Sequence, residues 1–125
     1  MRSSLALKSY AQIDVRARVE EQSPERLIAL LLEKGCTLVR QAITSLEKNN
    51  SAGFQEATTK AVELVVALRG LLDYENGGSV AEKLGATYGS IAASLFRTKT
   101  TKSVSDLEKL YQALSELRGA WDQIS

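Results

Sequence analysis

The sequence predicts an all-α protein, an antiparallel up-down four-helix bundle preceded by an N-terminal arm. Apolar residues recur in steps of three and four through four long segments, and short clusters rich in Ser, Pro, Asn and Gly separate those segments. The last segment carries a heptad stripe of Leu107, Leu110, Leu114, Leu117, Trp121 and Ile124. Burying six such side chains contributes on the order of 10–18 kcal/mol before conformational entropy is subtracted. Chain ends ordinarily fray, so a terminal stripe this apolar makes the last helix a full structural member.

The boundaries follow from local chemistry. At Ser23-Pro24-Glu25 a serine can cap, proline suits the first helical position, and glutamate meets the positive end of the helix dipole. Residues 1–22 therefore form the arm and residues 23–125 the bundle, together a single domain. Helix one should run from there to about Lys48, with two adjacent apolar rows. One is Leu27, Leu31, Leu38, Ala42 and Leu46; the other is Ile28, Leu32, Cys36, Val39 and Ile43. An arc that wide requires more than one neighbouring helix.

Helix two is expected from about Ser51 to Tyr74, with Phe54, Ala57, Ala61 and Leu64 facing inward. From Leu64 to Leu72 only Arg69 is charged, which predicts apolar surface left over after the bundle closes. A covering helix or the arm would equally explain those residues.

Asn76-Gly77-Gly78 should end that segment, and Ser79 with Glu82 forms a capping box for helix three. Its large inward residues are Val80, Leu84, Tyr88, Ile91 and Leu95, flanked by small ones that permit close approach of another element. Fraying is expected near Arg97. A second capping box, Ser105 with Glu108, opens helix four. In the arm, Leu5, Ala6, Tyr10, Ile13 and Val19 have only weak periodicity, which fits a short helix or an extended strap.

Composition then narrows the function. The chain of 125 residues is 44% hydrophobic and 25% charged, the profile of a globular domain. With 16 basic against 15 acidic residues it lacks the positive excess that phosphate binding requires, so no nucleic-acid partner is expected. No apolar run is long enough to insert in a membrane. Met1-Arg2-Ser3-Ser4-Leu5 does not read as a signal peptide, and one cysteine excludes an internal disulfide, so the expected location is cytoplasmic. Cys36 reads as a small core residue.

The chain contains no histidine, which removes His phosphotransfer, di-iron Glu-x-x-His pairs and Ser-His or Cys-His nucleophiles. Ser79 after Gly77-Gly78 lacks the strand and Lys of a phosphate loop. No catalytic residue, metal ligand or cofactor site is expected. What remains is a non-enzymatic bundle suited to receiving amphipathic helices.

Several phrases together resemble one family. They are Tyr10-Ala11-Gln12 in the arm, Ser23-Pro24-Glu25-Arg26-Leu27-Ile28, Leu71-Leu72-Asp73 followed by Gly77-Gly78, and Leu117-Arg118-Gly119-Ala120-Trp121 at the end. In order and spacing the chain resembles the flagellar secretion chaperone FliS family over nearly its whole length. It differs at Lys34, where the family favours glycine, and at Ser90, near which the family carries a second tyrosine.

The resemblance implies a four-helix bundle that binds the disordered C-terminal segment of flagellin in the cytoplasm, prevents premature polymerisation and assists flagellar secretion. It also leaves room for a contact with the export apparatus or a cochaperone. The expected client contacts are Tyr10, Ile13, Leu64, Val65, Leu68, Leu72, Leu84 and Tyr88, combining the resemblance with the apolar surplus of helix two. Trp121 belongs to the core. The other reading is a self-associating structural or adaptor bundle, in which helix two forms a homodimer seam.

Overall fold

The computed structural model describes Ser9 and residues 24–124, and among these there are four helices and no strand. They are α1 (Pro24–Glu47), α2 (Ser51–Gly70), α3 (Tyr74–Thr101) and α4 (Val104–Ile124). The expected all-α bundle is therefore the observed one. Ser23, Tyr10 and Ile13 lie outside the described residues.

Two adjacent asparagines turn the chain from α1 into α2. Asn49 takes a left-handed backbone, φ 56°, which ends α1, and its N–H donates to the Leu46 carbonyl. Asn50 then caps α2: its side-chain oxygen accepts from the Gly53 N–H at 3.0 Å.

The next two boundaries differ from expectation. α2 stops at Gly70, because Leu71 and Leu72 leave the helix to deliver Asp73 as the cap of α3. The Asp73 carboxylate accepts from the Asn76 backbone N–H at 3.1 Å and from its side-chain amide at 2.6 Å. These bonds hold the Asp73 carboxyl below the usual carboxylate range. The Asn76-Gly77-Gly78 break is thus a kink inside α3, at Gly78 with φ 52° and ψ −130°, and Asp73 rather than Ser79 begins the helix.

α3 also does not fray at Arg97. It continues to Thr101 and ends at Lys102 in a left-handed conformation, φ 52°. The cap of α4 is Ser103, whose hydroxyl accepts from the Asp106 N–H at 3.1 Å, and not Ser105.

Short turns make consecutive helices antiparallel. α1 packs against both α4 and α2, and α2 packs against α3, while α3 and α4 pack least closely of the consecutive pairs. The core contains Ile28, Leu32 and Val39 of α1, Phe54, Val65 and Leu68 of α2, Tyr88 and Leu95 of α3, and Leu107, Leu114 and Trp121 of α4. The C-terminal stripe is buried as its spacing predicts, with Leu117 half-buried; the side chain of Ile124 is outside the described ones. Across the α1–α4 seam the Arg40 guanidinium lies 4.4 Å from the centre of the Tyr111 ring, and Arg118 pairs with Glu33 at 4.0 Å.

Thr58 is a core position that polarity disguises. It is fully buried because its hydroxyl donates to the Phe54 carbonyl one turn earlier, at 2.8 Å, leaving its methyl to pack. Cys36 is buried, as expected of a small core residue, and burial raises its thiol pKa, keeping it protonated and unreactive.

Candidate functional site

The apolar surface left over by the bundle is distributed differently from the sequence expectation. Helical phase decides it. Phe54, Thr58, Ala61, Val65 and Leu68 form the buried line of α2, so Val65 and Leu68 are wholly covered, and Leu72 beyond the helix is buried too. Leu64 is half-buried against Gly35 of α1, where a methyl on the glycine would stand 3.4 Å from Leu64 Cδ2. The open apolar residues of this stretch are instead Val66, 53% exposed, and Ala67.

On α3, Tyr88 is fully buried, whereas Leu84 and Val80 are half-buried. The sequence-expected contacts therefore divide. Val65, Leu68, Leu72 and Tyr88 are core side chains; Leu64 and Leu84 reach the surface; Tyr10 and Ile13 are outside the described residues.

α3 presents apolar surface on both flanks. Toward α4, the two-residue link sets an antiparallel register in which Leu84, Tyr88 and Ile91 come level with Trp121, Leu117 and Leu114, along the least closely packed seam between consecutive helices. Toward α2, the flank is fixed by side-chain contacts. The Gln55 amide donates to the Lys99 carbonyl at 3.1 Å, and Lys99 Nζ donates to Thr59 Oγ1 at 2.6 Å. Arg69 lies over Gly89, and the Tyr74 hydroxyl lies over Gly85. The small residues of α3 are thus slots for side chains of its own neighbours.

On the outer edge of that second flank stands Phe96, 63% exposed, which sequence reasoning missed. A signal for it existed: Tyr88, Ile91 and Leu95 fix the buried line, so an aromatic at the next position must face away.

The turn between α2 and α3 is covered by the arm at one described point. Ser9 is fully buried, and its carbonyl accepts the Asp73 N–H. Gly77 provides the room, since a methyl there would stand 2.5 Å from Ser9 Oγ and 2.9 Å from Ser9 Cα. Gly77→Ala should displace Ser9, cost about 1–3 kcal/mol through overpacking, and leave the Asp73 amide without its acceptor. Hydrogen exchange at Asp73 checks this, with at least about tenfold faster exchange expected if opening of that amide governs the rate; an unchanged rate would refute the contact.

A cleft of about 480 Å³ runs between α1 and α2, lined among others by Arg40, Thr44, Ser45, Lys48, Glu56 and Lys60. Among the described residues no group of three His, Cys, Asp or Glu side chains is placed to hold a metal, and no helix is long and apolar enough to cross a membrane.

The described residues thus define an all-α four-helix bundle. The chain belongs to the flagellar protein FliS family, whose model matches residues 6–125. It is 32% identical to the flagellar secretion chaperone FliSB of Pseudomonas aeruginosa over 120 residues, covering 96% of this chain and 95% of that one. With flagellar secretion chaperone FliS of Salmonella typhimurium it shares 29% identity over 126 residues, 100% of this chain and 93% of the relative. The FliS of Vibrio cholerae is 24% identical over 119 residues, covering 95% and 88%. Family membership makes this chain a flagellar export chaperone in kind.

Proposed function

We propose that this protein is a cytoplasmic chaperone that binds the disordered C-terminal segment of flagellin, keeps it from polymerising early and assists its delivery to the flagellar secretion machinery. The observation that carries this reading is the family match across residues 6–125. The loosely closed α3–α4 seam supports it physically.

A disordered tail loses on the order of 2–5 kcal/mol or more on ordering, so it must recover apolar burial over a long surface. The client helix lies along the α3–α4 seam over the half-buried Leu84 and Leu117, with Tyr88 beneath them in the core. Leu64, half-buried against Gly35 of α1, is a separate partly open position, while Val65, Leu68 and Leu72 are core side chains.

A peptide from the C-terminal region of flagellin should co-elute with the protein on a sizing column and gain helical circular dichroism. Leu84→Asp and Leu117→Asp should each weaken that complex at least about tenfold, the loss of roughly one buried apolar contact. No complex at micromolar concentration, or a homodimer indifferent to the peptide, would favour the adaptor reading instead.

A further inference from the structure

The exposed edge of the α2–α3 flank combines features that the flagellin reading leaves unused. Large exposed hydrophobic side chains among the described residues are Val66, Tyr74 and Phe96, all on this helix pair or the turn between its members. The contacts of Lys99 with Gln55 and Thr59, and of Arg69 with Gly89, set the antiparallel register. That register places Val62 opposite Phe96 and Val66 opposite Ala92, forming one apolar strip.

A cation closes each end of the strip. Lys99 stands 5.8 Å from the centre of the Phe96 ring, and the Arg69 guanidinium covers Gly89. Among the described residues the ion pairs are Lys60–Glu56 and Arg118–Glu33, so neither end cation is neutralised by a carboxylate. Arg97, beside Phe96, adds a third positive charge and donates to the Ser94 hydroxyl.

We propose that this strip is a docking surface for a short amphipathic helix with an acidic residue near each end, supplied by a second protein partner distinct from the client in the α3–α4 seam. Residues 89 and 99 are about 15 Å apart along α3 at 1.5 Å per residue, so the partner's two carboxylates stand roughly ten residues apart on its helix. Between them, apolar side chains in steps of three and four cover Phe96, Val62 and Val66. The carboxylates meet Lys99, already held by its bond to Thr59, and Arg69, whose guanidinium lies over Gly89. Opposite charge sets the orientation and speeds the encounter; the apolar strip supplies the affinity.

The test uses the full chain and a labelled helical peptide of about thirteen residues, with glutamates roughly ten apart and leucines between them, read by fluorescence anisotropy. Binding in the micromolar range is expected. It should weaken at least about tenfold when both glutamates become glutamine, when Phe96→Ser is made, or when Arg69→Gln is made. Phe96 is largely exposed, so Phe96→Ser should leave the melting temperature nearly unchanged and should leave binding of the flagellin tail intact.

Absence of peptide binding overturns the proposal, as does binding that ignores Phe96→Ser or the removal of the glutamates. Equal weakening of the flagellin tail by Phe96→Ser also overturns it, because the strip would then belong to the client. Failure of the tail to bind while the acidic peptide does would refute the flagellin reading and leave this one standing.

Discussion

Val65→Asp should unfold the bundle or cost on the order of 4–5 kcal/mol, whereas Val66→Asp should change stability by no more than about 0.5 kcal/mol. The two valines are neighbours of identical chemistry, and only helical phase separates them. Val65 is fully buried, so a carboxylate there must either lose its charge or tear open the core packing around it. Val66 is 53% exposed, and its aspartate stays in water. Urea denaturation of both variants, with the unfolding slope compared to the parent, measures the contrast. Similar losses in the two would mean that α2 is rotated from the phase described.

Trp121→Ala should cost about 3–5 kcal/mol, the usual range for deleting a large buried aromatic. Trp121 is 3% exposed, so its packing is what ties the C-terminal part of α4 into the core. For a domain of this size that loss lowers the melting temperature by roughly 10–20 °C. Scanning calorimetry decides the matter, and a fall of only a degree or two would show that the terminal helix is dispensable.

Much of this architecture is legible in the chain itself. Pro24 and the Asn49-Asn50 pair mark boundaries by restricting the backbone, and the C-terminal stripe marks a buried helix face by repetition. Local rules fail where two solutions share one pattern. Ser103-Val104-Ser105-Asp106 and Ser105-Asp106-Leu107-Glu108 both resemble helix starts, and the choice falls to Ser103 because Lys102 has already ended α3. Near Gly77-Gly78 the glycines bend the helix, while Asp73 and Asn76 had already begun it.

The candidate site was harder to read for a related reason. Leu64 to Leu68 are all apolar, so hydrophobicity alone carries no phase there; the phase is inherited from Phe54, Thr58 and Ala61 one to three turns earlier. Thr58 concealed that inheritance by looking polar. Phe96 escaped notice because Leu95 satisfied the inward pattern, and an exposed aromatic becomes visible only once the buried line is fixed.

The link between α3 and α4 consists of just Lys102 and Ser103, yet these two helices approach each other least of any consecutive pair. A joint that short forces the rods together where they meet, so whatever slack the pair has lies away from the turn, toward the far ends of both rods.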